Sequence, residues 1–282
     1  MLNDRKELFK MGGTISSTTS LIISILGFIV LISGWYFLTL NGNIIPAKIL
    51  PNPIDVIKSY GILLADYDLV GNAVYTIKIN SYGLLIAVFL SLPIGMIIGI
   101  FPFFHSLLSK YIDALRFLPL TAVTGLFICW LGIGIQMKVS FLAFGIILFL
   151  LPIIIQRISD LQNPANEKSY VFLQTIETLG ANNWHKLKYV YFPFVCETFI
   201  DNLRVIGAIS YTYTIVAEVL NREGGLGASI YTLSRQSRMP EVFAILFVII
   251  GIGILQDLLF KKIDKIVIPH KYNLNSIFKK KL

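Results

Sequence analysis

The chain has 282 residues, of which 55% are hydrophobic and only 14% charged, and its mean hydropathy is +0.74. A soluble domain carries roughly 25% charged residues to keep its surface wet, so a large soluble fold is excluded in favour of an all-α polytopic membrane protein. The net charge of +8 raises nucleic acid as a partner. The basic residues are not interleaved with aromatics in any nucleic-acid motif, however, and their placement has another cause.

Residues 1–14 form a short charged tail, and no Asp, Glu, Lys or Arg then occurs from Met11 to Ala47. Leu21 to Leu40 is long enough, at 1.5 Å per residue, to cross a hydrocarbon core of about 30 Å. The first span is placed at 18–40, with Trp35 and Tyr36 near its far end, where amphipathic rings prefer the interface. No small-residue cleavage site follows this apolar run, which is therefore expected to be retained rather than removed as a signal peptide. Residues 41–72 are a polar interlude. Within it, Leu50-Pro51-Asn52-Pro53 predicts a helix start, with Asn52 as cap and Pro53 at the first helical position, and a short amphipathic helix over Ile54–Leu64.

The second span is placed at 75–101, where Pro93 and Gly95 suggest a kink, and the third at 113–132. The Leu131-Gly132-Ile133-Gly134 turn leads into a fourth span at 138–156. Gly83, Gly95, Gly99 and Gly145 are either close-contact points between helices or the ordinary glycine content of membrane helices. Spans at 194–220 and 241–260 are weaker, with only 13 uncharged residues between Arg204 and Glu218 and 15 between Glu241 and Asp257. They reach full length if their terminal charges snorkel or face protein.

Six spans with a cytoplasmic amino terminus put 16 of the 24 Lys and Arg residues inside and six outside: Lys48, Lys58, Lys138, Arg222, Arg235 and Arg238. This bias satisfies the positive-inside rule, so the charge needs no polyanionic partner. Both termini are then cytoplasmic, with outer loops at 41–72 and 221–240. The Lys279-Lys280-Lys281 tail either touches anionic lipid headgroups or is simply solvated.

The same topology makes 159–193 the largest cytoplasmic loop. Asn163-Pro164 reads as a helix start. Gly180 falls where a helix ends in a left-handed residue, Asn182 or Asn183 can cap a second short helix, and Pro193 stops or kinks it. Trp184, Leu187 and Tyr191 share one side of that helix, with His185, Lys186 and Lys188 on the other. Periodicity leaves open whether these faces dock a partner or pack on the chain's own spans.

Reactive chemistry is poorly represented. Cys129 and Cys196 have neither metal spacing nor a disulfide framework, and His105, His185 and His270 are scattered. Gly224-Gly225-Leu226-Gly227 lacks the Gly-Lys-Ser/Thr of a phosphate loop, so no cofactor is expected in this chain. Two intramembrane polar groups stand out, because burial of such a group in lipid costs about 2.5–3.5 kcal/mol on insertion scales. Glu218 either lines or gates a path, or is an interfacial carboxylate holding the outer loop. Asp201 and Arg204, one turn apart, read as a local ion pair.

The loop's spacing, Gly180, nine residues, then Val190-Tyr191-Phe192-Pro193, resembles the cytoplasmic signature of bacterial ABC importer permeases. Leu179-Gly180-Ala181 and Trp184 resemble the branch that imports nitrate, sulfonates, taurine, bicarbonate or thiamine precursors. Similarity extends over most of the chain, through Leu50-Pro51-Asn52-Pro53, Leu118-Pro119, Trp130-Leu131-Gly132-Ile133-Gly134, Leu203-Arg204, Ala217-Glu218 and Gly225-Leu226-Gly227. One departure is Gln174-Thr175-Ile176, which stands where the family has Glu-Ala-Ala.

The resemblance implies a type I importer-like permease in the bacterial plasma (inner) membrane. A separate ATPase, holding ATP and Mg, would dock at Gln174, Glu177, Leu179, Gly180, Ala181, Trp184, Leu187 and Pro193. A second permease copy would complete the path, a solute-binding protein would deliver substrate outside, and Glu218, Gly225 and Gly227 would line or gate the path. Lipid surrounds the spans, and no nucleic acid takes part. The alternative is an ATP-independent secondary carrier, which requires inverted repeats and midplane ion-binding groups; neither is evident. A membrane enzyme would need a reactive constellation that is likewise missing from the sequence.

Overall fold

A computed structural model describes residues 10–13, 15–40, 45–220 and 222–269, so Arg5, Lys6 and the Lys279-Lys280-Lys281 tail lie outside the described residues. Every regular element among the described residues is helical. Contacts divide the chain into two compact units, residues 1–67 with 232–245 and residues 68–231 with 246–282.

In the first unit, α1 (Ser17–Thr39) is capped by Ser16, whose hydroxyl accepts from the Thr19 N–H. Its window of highest hydropathy has no buried residue, as expected for a helix solvated by lipid rather than by protein. Helix α2 (Pro53–Asp66) starts as the Asn-Pro pair predicts: Asn52 Oδ1 accepts from the Ile54 N–H at 2.9 Å and Pro53 opens the first turn. The Trp35 indole donates to the Pro51 carbonyl at 3.0 Å and ties α1 to that start.

The second unit holds α3 (Leu69–Ile100), α4 (Pro102–Leu115), α5 (Leu120–Leu131), α6 (Ile135–Gln162), α7 (Glu167–Thr178) and α8 (Asn183–Leu220). Helices α9 (Leu226–Arg235) and α10 (Met239–Val267) follow and run on into residues of both units. Among the described residues, five helices are long and apolar enough to cross a membrane, six if α4 and α5, bent by 105° at their junction, count as one span.

Three glycines of α3 define the centre of this unit. A Cβ on Gly83 would fall 2.6 Å from Leu142, one on Gly95 2.8 Å from Ile154, and one on Gly99 2.7 Å from Ile158. Each pairing has the same sequence offset, so α3 and α6 run parallel and in register, with backbones close because the glycines have no side chain. Between two parallel helices the chain must travel back along their length. The α4–α5 pair does this, and α5 lies antiparallel to α6 through Phe127 against Phe141 and Phe144. The stretch expected as one third span, 113–132, is therefore split. Residues 113–115 end α4, a turn precedes Pro119 and Leu120, and α5, at 12 residues, rises only about 18 Å.

Helix α8 packs antiparallel on both α3 and α6. Ala87, Met96, Leu150, Ile154, Phe199 and Ile206 are among the buried side chains of the resulting three-helix core.

Candidate functional site

The most polar long stretch of the chain forms a helical hairpin. Asn163 does not begin a helix: it ends α6, and its side chain accepts from the Ala165 N–H in a tight turn, so α7 starts four residues later at Glu167. Helix α7 ends in two reversed bonds, Gly180 N–H to the Glu177 carbonyl at 2.9 Å and Ala181 N–H to the Ile176 carbonyl at 3.2 Å. This is the Schellman arrangement, and it requires the left-handed backbone that Gly180 supplies at φ +69°. Asn182 then caps α8, its side chain accepting from the His185 N–H at 2.9 Å.

Pro193 does not end α8. It has no N–H to give, and the preceding residues Leu187–Tyr191 widen into a π-turn in which the Phe192 N–H reaches the Leu187 carbonyl. The helix continues unbroken to Leu220 for 38 residues, about 57 Å, which is nearly twice a hydrocarbon core. One end must therefore project, and the polar end around Trp184 is the end that can.

The hairpin uses its two faces differently. Leu173 is buried, and Leu187 and Tyr191 pack against the three-helix core. Leu179 and Trp184 remain 78% and 65% exposed, beside exposed Gln174 and half-buried Ala181. The two arms are fastened across Gly180 by Lys186 Nζ and the Glu177 carboxylate at 2.8 Å. At the base of the hairpin, the Arg157 guanidinium lies 3.8 Å from the Phe194 ring centroid and bonds Glu197 at 3.3 Å.

At the opposite end of α8, Glu218 is fully buried. One oxygen accepts from Thr76 Oγ1 at 2.8 Å and the other from the Gly227 N–H at 2.8 Å. Thr76 Oγ1 in turn accepts from the Leu226 N–H at 2.9 Å, and Asn72 Oδ1 from the Gly225 N–H at 2.8 Å. The first amides of α9, which no intrahelical carbonyl can satisfy, are thus held by side chains of α3 and α8. A Cβ on Gly225 would sit 2.3 Å from the Glu218 carboxyl carbon, and one on Gly227 2.7 Å from the Ile215 carbonyl. These glycines are needed for contact rather than for phosphate binding. The geometry makes Glu218 the carboxylate that holds this loop.

Asp201 and Arg204 form the expected ion pair one turn apart, and Arg204 has a second, closer partner. Arg204 reaches Asp201 only at 3.9 Å, while its Nε and Nη2 bond the Asp257 carboxylate at 2.7 and 3.3 Å. Long-range geometry wins because α8 and α10 are antiparallel at that level: Gly207 gives room to Gln256, which also accepts from the Tyr211 hydroxyl at 2.7 Å.

Sequence reasoning missed the polar interior between α3, α6 and α8. Asn80 donates to Ser210 at 2.7 Å and Thr214 at 3.1 Å, and Lys138, counted as an outside charge, is fully buried under Tyr75. A signal existed: Thr76 and Asn80 are one turn apart, as are Ser210, Thr214 and Glu218, so each set forms a polar stripe on an apolar helix. No group of three potential metal ligands occurs among the described residues.

Long apolar helices around a polar seam, with a polar hairpin continuous with one of them, define a multi-pass membrane protein. Residues 91–268 match the family described as binding-protein-dependent transport system inner membrane component, and the chain belongs to that family of ABC importer permeases. It is 26% identical over 247 residues to a probable ABC transporter permease protein of Brucella melitensis, covering 88% of this chain and 96% of that one. It is 24% identical over 224 residues to a putative aliphatic sulfonates transport permease protein of Bacillus subtilis, covering 79% and 78%. An inward-facing structure of the MetNI methionine ABC transporter shares the fold, with a TM-score of 0.59 at 16% identity over 71% of this chain and 96% of that chain.

Proposed function

We propose that this permease moves a small solute inward, driven by a separate ATPase that docks on the hairpin around Gly180. The solute class is a small anion such as nitrate, a sulfonate, taurine or bicarbonate, or a thiamine-type precursor, and the sulfonate permease among the relatives supports that class. ATP and Mg belong to the ATPase. A second copy of this chain completes the path, and a solute-binding protein delivers substrate at the Gly225 end. The hairpin and both termini then face the cytoplasm.

The observation that carries this reading is the pairing of exposure with stiffness. Leu179 and Trp184 present apolar surface on a polar projection, which supports reading the hairpin as a docking surface for a protein partner. The hairpin beneath them is fixed by the Gly180 cap and the Glu177–Lys186 pair, and it is continuous with α8. A push on it is transmitted along a rigid rod rather than absorbed by a loop. Alternation between inward-open and outward-open states requires such a connection. The test is co-purification: Trp184→Asp and Gly180→Pro should lose the ATPase while the permease still inserts. ATPase retained at parental stoichiometry by both variants would overturn the reading.

A further inference from the structure

A cavity of about 460 Å³ lies within the second unit, walled by the end of α4, the second half of α6 and the first half of α8. That volume suits a small-molecule ligand. Its charged lining is Asp113 of α4 with Arg116 at the end of that helix, and Arg157 and Asp160 of α6, while Asn202 of α8 closes the third side. Each helix thus contributes one guanidinium and one carboxylate a single turn apart, and the four formal charges cancel. The two helices run in opposite senses. Helix α4 starts at Pro102, next to the Gly99–Ile158 approach, and by Ile112 has climbed to pack with Leu151 and Ile155. Asp113 precedes Arg116 on the climbing helix, whereas Arg157 precedes Asp160 on the descending one. Both arginines therefore lie towards the middle of α6, and both aspartates lie towards the hairpin.

We propose that this cavity binds a small zwitterion, with its anionic group between Arg116 and Arg157 and its ammonium group between Asp113 and Asp160. The identity of the occupant rests on the importer reading: it is the transported solute, narrowed from small anions to molecules such as an aminosulfonate that carry both charges. Three residues of helix, about 4.5 Å of rise, separate the two layers of charge, which suits opposite charges held on a two-carbon spacer. The α6 pair is fixed in advance. Arg157 bonds the Phe194 carbonyl at 3.4 Å and the Glu197 carboxylate at 3.3 Å, and Asp160 Oδ1 accepts from Gln156 Nε2 at 2.9 Å. The α4 pair is loose: Arg116 comes only within 3.8 Å of Asp113, beyond a good hydrogen bond, so both groups can turn to a ligand at little cost. A simple anion in the same place would face two carboxylates, and a simple cation would face two guanidiniums.

The test is calorimetric binding to the full-length permease in lipid nanodiscs, with taurine as the zwitterion and ethanesulfonate and ethylamine as its two halves. Taurine should bind about ten-fold more tightly than either half, since it alone makes charge-assisted hydrogen bonds at both ends. Asp113→Asn should weaken taurine about ten-fold and at the same time tighten ethanesulfonate, because one substitution removes an attraction for the first ligand and a repulsion for the second. Arg116→Gln should weaken taurine and ethanesulfonate and tighten ethylamine. Both side chains are about half exposed, so neither substitution threatens the fold, and opposite shifts for two ligands are not the mark of a damaged protein. Absence of taurine binding, equal affinities for taurine and ethanesulfonate, or an Asp113→Asn variant that weakens both alike would each overturn the proposal. Binding requires neither ATPase nor ATP, so failed ATPase docking on the hairpin would leave this result standing. An importer that works without this charge selectivity would remove only the cavity assignment.

Discussion

Glu177 and Lys186 meet at 2.8 Å across Gly180, joining the end of α7 to the start of α8. The pair is part-exposed, and ion pairs of that kind contribute about 0.2–1 kcal/mol once screening is counted. Its value to the permease is therefore geometric: it fixes the angle at which Leu179 and Trp184 are presented. Lys186→Glu should leave the thermal midpoint in detergent nearly unchanged but reduce ATPase co-purification. The charge swap Glu177→Lys/Lys186→Glu should restore it. A swap no better than the single variant would show that Lys186 contacts the partner directly instead.

Gly180 and Gly99 separate two reasons for a glycine. Nothing lies within 4 Å of a Cβ built on Gly180, whose φ is +69°, so Gly180→Ala should cost only the backbone term, about 1–2 kcal/mol, felt in the hairpin alone. Gly99 is helical, and its Cβ would meet Ile158 Cδ1 at 2.7 Å. Gly99→Ala should instead separate α3 from α6, at about 1–3 kcal/mol for overpacking. Adding Ile158→Val, which removes that methyl, should recover part of the loss. Denaturation in detergent measures both series, and an Ile158→Val addition that worsens Gly99→Ala would refute the close-packing account.

Arg204 and Asp257 provide a polar tie between α8 and α10. Both groups are partly open to solvent, so Asp257→Asn should lower the thermal midpoint only slightly. The parent should lose that advantage as salt rises, because screening acts on the same term. Asp201→Asn should do less, since its oxygen is 3.9 Å away. Thermal melts at low and high ionic strength compare the two, and equal effects would restore Asp201 as the principal partner.

Proteoliposomes separate a driven importer from a carrier. With the permease alone, a gradient of a small sulfonate or nitrate should produce no specific accumulation. With the ATPase, ATP and solute-binding protein present, uptake should appear and should fail in Trp184→Asp. Accumulation by the permease alone would favour a secondary carrier.

Much of this protein follows from its sequence because its elements are set by short-range rules. Uncharged runs long enough to cross a bilayer mark the spans, since lipid offers no partner to a backbone outside a helix. Asn52-Pro53 and the Gly180 cap lie where local hydrogen-bond chemistry requires them, and the spacing from Gly180 to Pro193 identifies the hairpin. Three matters depended on contacts between residues far apart in the chain. The parallel register of α3 and α6 turned an expected single span into the bent α4–α5 pair. The approach of α10 at Gly207 gave Arg204 a second and closer partner, Asp257, beside the residue one turn away. The burial of Glu218 between α3, α8 and the start of α9 made an apparent edge charge the centre of a loop-holding network, and packing against Tyr75 took Lys138 out of the outer surface. Hydropathy records how greasy a segment is, whereas the partner of a polar side chain inside a membrane protein is set by which helix face lies opposite, and only the packing of the helices decides that.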